Sequence, residues 1–244
     1  TVWVVVARQK HFVRFQRLVR AWGVTPDRLR AAVVGRPITT WSRDRYTLLR
    51  GARPGERVLW VRPRPDAANP VRFNDWYAPF ALAKVAGPRV RVRVAPLVFD
   101  GGDLLATSRH VFATGLLLGR NRADRLRDVG ATRALLRRVT GREPVIIGEG
   151  PEDVPPHHIG MFLTPLDDGR RTVLVGDPRA GLRLLTPALE RRLPRPVQRD
   201  PAFLARFERV AASARRAGFR VVRTPLVPLD DGLTYVTYNN ALLE

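Results

Sequence analysis

The chain has 244 residues, 45% of them hydrophobic, which is enough for one substantial core or two small ones and too apolar for a disordered chain. It carries 43 basic against 22 acidic residues, a formal net charge of +21, and no cysteine. That composition excludes disulfides, thiolate metal sites and a thiol nucleophile drawn from these residues. No apolar run approaches the roughly 20 residues that a bilayer span needs, and no secretory leader opens the sequence, so the cytoplasm is the default compartment.

Lysine occurs only at Lys10 and Lys84, so 41 of the basic residues (43 − 2) are arginine. A basic balance suits a polyanion such as nucleic acid. The plainer reading is a genome rich in G and C that supplies Arg, Ala, Pro and Gly wherever the fold tolerates them. The arginines run along the whole chain, and charge alone speaks to solubility and nonspecific binding.

Val2 to Ala7 reads as a buried strand, rich in β-branched residues. Phe12, Phe15, Leu18, Val19 and Trp22 fall at helical spacing, with Gly23 as the stop; Phe12, Phe15 and Trp22 are expected in the core. Thr25-Pro26 opens a second short helix. Strands are expected at Val58 to Val61, Val90 to Val94 and Val145 to Ile147, and helices at Trp76 to Val85 and Ala123 to Val139. Pro63 to Asn69 is a Pro-rich loop between them. A strand at Thr172 to Val175, a helix at Phe203 to Ala217 and a strand at Phe219 to Val222 follow. The most informative stretch, Pro96 to Gly115, carries Asp100-Gly101-Gly102-Asp103 between two apolar runs. It reads as strand, tight turn, strand, with the acids held at the turn.

Two internal echoes accompany that stretch. Pro37 and Asp44 recur 59 residues on as Pro96 and Asp103 (96 − 37, 103 − 44), and Pro165-Leu166-Asp167-Asp168-Gly169 recurs at Pro228 to Gly232. A period near 60 predicts a repeat architecture, although Asp-Gly also marks hairpins generally.

Asp100-Gly101-Gly102-Asp103-Leu104-Leu105, then Thr107, Arg109, Val111-Phe112, Gly115 and Arg120-Asn121, resembles the signature of dimethylarginine dimethylaminohydrolases. More broadly the chain looks like the guanidine-modifying enzymes of the pentein fold. Ser42-Arg43-Asp44 resembles their Arg-Asp turn, His158-Ile159-Gly160 their catalytic His segment, and Thr237 to Leu243 the strand opening their last module. The resemblance implies an α/β fold over residues 1 to 244 as a single domain. It further implies a five-module β/α propeller, with part of the last module expected to lie beyond these residues.

The resemblance also implies a site. Asp100 and Asp44 match the carboxylates that grip the guanidinium, His158 matches the general acid/base, and Arg43 and Asp103 flank the substrate. A flat cation needs facing carboxylates, a histidine moves protons, and a thiolate attacks the central carbon. No metal or organic cofactor is implied. The expected partner is a small guanidino compound, on a monomer or homodimer. Gly160 stands where arginine and agmatine deiminases have an Asp, which favours the dimethylarginine type. The same site serves an amidinotransferase, which passes the group to an amine. A non-catalytic relative that binds nucleic acid or the ribosome is the reading the charge favours.

Each of these residues also has a plain structural reading. Asp beside Gly forms turns, Arg-Asp dipeptides make surface ion pairs, and a lone His is often just hydrogen-bonded. His157-His158 lacks a partner at metal spacing. His11 and His110 are expected to be structural; Trp41 and Trp76 could wall a substrate pocket, with core packing the plainer reading; Asn239-Asn240 is a candidate for shaping the site, with no assigned place in it. The first residue is Thr, with the apolar pattern already running at Val2, so an excised or incomplete stretch of a longer chain is expected. Continuing the reading frame past Glu244 should reveal roughly one further half-module with a Cys near its end; a stop codon directly after Glu244 would rule out the enzyme reading.

Overall fold

The computed structural model describes residues 2–23, 25–40, 42–49, 58–64, 70–88, 90–121 and 128–239. Trp41, Asn240 and the side chain of Arg43 lie outside the described residues, as do most of the Pro-rich loop and the first part of the helix expected from Ala123. The chain divides into two compact units, Thr1–Gly101 and Gly102–Glu244.

The first unit opens with β1 (Val2–Val6), α1 (Gln9–Ala21) and β2 (Leu29–Val33). β1 and β2 pair in parallel, Val2 opposite Leu29, and a parallel pair requires a crossover, which α1 supplies. Phe12 and Val19 are buried on one stripe of α1 against Val6 and Leu29, with Phe15 half-buried beside them. Trp22 corrects the sequence reading: it is 68% exposed. It occupies the C-cap, with φ −95° and ψ 12°, so its side chain leaves the stripe that the helical turns define. The helix expected after Thr25 is a single 3₁₀ turn, Pro26–Arg28, and the residues after it pair with β1 instead.

The rest of this unit is β3 (Thr47–Leu49), β4 (Val58–Arg62), α2 (Ala78–Ala86) and β5 (Val90–Val94), with 3₁₀ turns at Ser42–Arg45 and Pro70–Tyr77. β3 is antiparallel to β4, and β4 is parallel to β5. Tyr46 stacks on Trp60 at 5.3 Å in a core with Leu82 and Ala32. Trp76 is buried, as expected, although α2 starts only at Ala78. Asp75 is fully buried, and it accepts hydrogen bonds from the Thr39 amide at 2.7 Å and hydroxyl at 2.5 Å.

The second unit repeats the same arrangement twice. First come β6 (Leu105–Ala106), β7 (His110–Thr114), α3 (Gly115–Arg120), α4 (Val129–Thr140) and β8 (Glu143–Ile147). Then follow β9 (Leu163–Pro165), β10 (Thr172–Asp177), α5 (Pro178–Leu184), α6 (Pro187–Glu190), α7 (Pro201–Arg216), β11 (Arg220–Pro228) and β12 (Tyr235–Thr237). Each set is a hairpin followed by a parallel strand, in the orders β6-β7-β8 and β12-β11-β10-β9. Phe112, Ile147, Ile159, Phe162, Val173, Phe207, Val210 and Leu226 are nearly or fully inaccessible in one core.

The expected strand-turn-strand around Gly101-Gly102 is corrected. Pro96 to Asp100 is not a strand, Gly101–Asp103 is a 3₁₀ turn, and the hairpin turn comes later, between Ala106 and His110. Neither Gly101 nor Gly102 has a positive φ. β9 begins at Leu163, directly after a 3₁₀ turn at Ile159–Met161 and Phe162.

The repeat itself is present. The first strands of the three hairpins begin at Thr47, Leu105 and Leu163, 58 residues apart each time (105 − 47, 163 − 105). Each follows a 3₁₀ turn: Ser42–Arg45, Gly101–Asp103 and Ile159–Met161. In the Leu-Asp-Asp-Gly copies, Gly169 has φ 70° and Gly232 φ 65°, the left-handed geometry that glycine tolerates best.

α5 lies close on β11. A Cβ added at Gly181 would sit 2.6 Å from the carbonyl carbon of Leu226 and 2.9 Å from its amide nitrogen. Gly181→Ala should therefore lose about 1–3 kcal/mol of stability by overpacking, measured by denaturant unfolding; an unchanged midpoint would show that α5 is free to shift.

Candidate active site

The candidate residues sit on those 3₁₀ turns. Asp44 lies within Ser42–Arg45, Asp103 closes Gly101–Asp103, and His158 caps Ile159–Met161. The second and third turns are flanked by buried apolar residues. Phe99 and Leu97 are fully buried ahead of Asp100, Leu104 follows Asp103 at 2% exposure, and Ile159 follows His158 at 1%. A polar side chain next to such an anchor has little freedom to move.

In the second unit Asp103, His158 and Arg120 come together. The Asp103 carboxylate is buried; one oxygen is held by the guanidinium of Arg120, the last residue of α3. Its other oxygen lies 4.0 Å from Nε2 of His158. The guanidinium offsets a burial that would otherwise penalise the carboxylate, and the imidazole stands within ion-pair range of the other oxygen. Sequence reasoning missed Arg120 as a member of the cluster, although Arg120-Asn121 stood in the motif.

His158 is held through its backbone as well as its ring. Its amide donates to Nδ1 of His157 at 2.7 Å, and its carbonyl accepts from the Met161 amide at 3.0 Å. The two imidazoles meet edge to face, 5.0 Å apart, and His157 meets the ring of Tyr235 at 5.8 Å. Burial pushes the Tyr235 phenol well above its ordinary range, and its hydroxyl donates to the Gly232 carbonyl at 2.7 Å. Gly102 explains the Gly-Gly pair: a Cβ there would lie 2.9 Å from Cβ of His158 and closer still to the ring. The glycine permits a close approach of backbone to histidine, which is its role here.

In the first unit Asp100 is buried, and the guanidinium of Arg45 lies 3.2 Å from its Oδ1. The Thr47 hydroxyl donates to the Gly101 carbonyl at 3.3 Å, tying the start of β3 to the turn after Asp100. Asp44 is half-buried. Asn239 is buried and bonded to Thr224, Thr237 and the Leu174 carbonyl, so within the second unit it joins β10, β11 and β12. Among the described residues, no three of His, Asp and Glu are grouped to hold a metal ion.

A cleft of about 310 Å³ opens at the other end of the same strands, lined by residues 107–110, Leu166, Asp167, Arg171 and Phe219. His110 lies in its wall and meets Phe219 edge to face at 5.2 Å, a structural contact. Burial, then the charge of Arg171, hold the His110 imidazole below its ordinary value. A histidine with a lowered folded pKa binds fewer protons folded than unfolded once the pH drops through its ordinary value near 6.5. Stability is thus intact above that value and falls as the pH falls below it. His110→Gln should lose less thermal stability than the parent between pH 7.5 and pH 5; parallel curves would show that His110 is not involved.

No protein-family model matches the chain, and no curated protein sequence matches it. Solved structures do match in fold. The agmatine deiminase of C. jejuni is 13% identical with a TM-score of 0.55, over 93% of this chain and 58% of that one. A Cys-to-Ser variant of that enzyme with substrate bound gives 15%, 0.56, 93% and 60%. The agmatine deiminase of Enterococcus faecalis gives 15%, 0.57, 91% and 57%. The chain therefore shares the fold of these agmatine deiminases and spans somewhat over half the length of each.

Proposed function

We propose that this chain is part of a hydrolase acting at a guanidino carbon, built as a pentein propeller of five modules. The single observation that carries the reading is the buried Asp103 between Arg120 and His158. The turns bearing Asp44, Asp103 and His158 precede equivalent strands of three repeats. The β1–α1–β2 unit and β12 would belong to the remaining modules. The likeness to agmatine deiminases supports the fold, and with it, by analogy, the class of chemistry.

In this reading Asp44 and Asp100 grip the planar cation through paired hydrogen bonds, and Arg43 helps to seat it. Asp103 acts through His158, standing beside its ring. A thiolate from a cysteine outside these 244 residues adds to the guanidino carbon. The C–N bond to the leaving amine breaks as His158 gives that amine a proton. His158 then takes a proton from water, the resulting hydroxide attacks the same carbon, and the C–S bond breaks to return the thiolate. One water is consumed, one amine is released, and a ureido product leaves. Gly160 in place of a carboxylate two residues after His158 favours a methylated arginine as substrate.

The test uses the protein expressed from its complete reading frame, assayed for ureido product from dimethylarginine, arginine and agmatine, with and without an acceptor amine. Turnover is expected with water as acceptor. His158→Ala should lower kcat by about 10²–10⁴-fold with the thermal midpoint nearly unchanged. Gly102→Ala should lower kcat because its Cβ displaces the imidazole. Absence of turnover on all three compounds, or unfolding of His158→Ala, would remove the proposal.

A further inference from the structure

The charge of this chain is unevenly placed. Residues 1–101 hold 20 basic and 6 acidic residues, a net +14, which leaves +7 (21 − 14) for the other 143. Helix α1 and the residue before it contain no acid, and they present Arg8, Lys10, Arg14, Arg17 and Arg20, all exposed. Lys10, Arg14, Arg17 and Arg20 fall within about one third of the helix circumference at 100° per residue. The buried stripe of Phe12, Phe15 and Val19 lies opposite. Among the described residues, no carboxylate pairs with any of these four cations. Trp22, at 68% exposure, stands one residue past the end of the helix and two residues after Arg20.

We infer that the outward face of α1 is a docking surface for single-stranded nucleic acid, with Lys10, Arg14, Arg17 and Arg20 on phosphates and Trp22 under a base. Charge complementarity selects the occupant. Ten residues of helix span about 15 Å, the length of a few nucleotides of a strand, and an exposed indole at the end of that helix offers a stacking platform. A membrane surface is disfavoured, because the apolar stripe that would enter lipid is already committed to the core with Val6 and Leu29. This surface is independent of the guanidino chemistry proposed above.

The experiment measures binding of a fluorescent 20-nucleotide single strand to the full chain by anisotropy, from 50 to 300 mM salt. The parent should bind at 50 mM salt and weaken steeply as salt rises. The triple variant Arg14→Glu, Arg17→Glu, Arg20→Glu should bind at least about 10-fold more weakly and with a shallower salt slope. A variant with the same charge change in the second unit, Arg183→Glu, Arg191→Glu, Arg192→Glu, should lose less than about 3-fold. Trp22→Ala should weaken binding without changing the salt slope, and Arg14→Ala with Arg17→Ala serves if the charge reversal disturbs folding. Equal losses in both triple variants, no binding by the parent, or binding to anionic vesicles in place of the oligonucleotide would each overturn the inference.

Discussion

Two parallel strands cannot be joined by a tight turn, and that constraint organises this chain. β4 with β5, β7 with β8 and β10 with β11 each need a helical crossover, and each receives one. The antiparallel strand that completes each sheet precedes the pair, so a connection must enter it from the previous repeat. That connection is a 3₁₀ turn every time. At the second and third of these turns the neighbouring apolar residues Phe99, Leu104 and Ile159 are buried. Asp44, Asp103 and His158 all occupy this position. A polar residue at this turn is thus repeated along with the fold.

The Asp103 cluster follows from burial. A carboxylate removed from water needs compensation, and Arg120 supplies it at one oxygen while His158 stands off the other. Gly102 lets the turn close over the imidazole, so the residue that shapes the turn also fixes the distance between acid and histidine. A chain of net charge +21 would repel a cationic substrate at long range. Salt screens that field beyond about 8–10 Å, and recognition of such a substrate then falls to carboxylates in contact with it. Net charge and local charge are accordingly separate properties here: residues 1–101 carry +14 of the +21, while Asp100 and Asp103 are buried.

Much of this was legible in the residues themselves. β-Branched runs located most of the strands, helical spacing located α1 and α7, and the displaced copies of Pro-Leu-Asp-Asp-Gly signalled a repeat whose turns share their positive-φ glycine. The acids and His158 stood out because Asp-Gly-Gly-Asp and His-Ile-Gly interrupt apolar sequence. The misreadings have a common cause. Leu29 to Val33 became a strand because β1 offered it a parallel partner, and Pro96 to Asp100 did not become one because its apolar side chains are used as core anchors. Trp22 left the core because the helix ended one residue before it.

Composition and periodicity by themselves determined an α/β chain of repeated units, the absence of a thiol among these residues, and which polar residues interrupt apolar stretches. Those are local properties, set by side-chain volume, backbone propensity and the chemistry each residue type can offer. Only the tertiary structure decided that Arg120 reaches Asp103 across 17 positions, and that His158, 55 positions beyond that acid (158 − 103), faces it. It also decided that Gly102 serves contact and not a positive φ. Contacts between residues far apart in sequence depend on how helices and strands pack, and no neighbouring residues encode that packing alone.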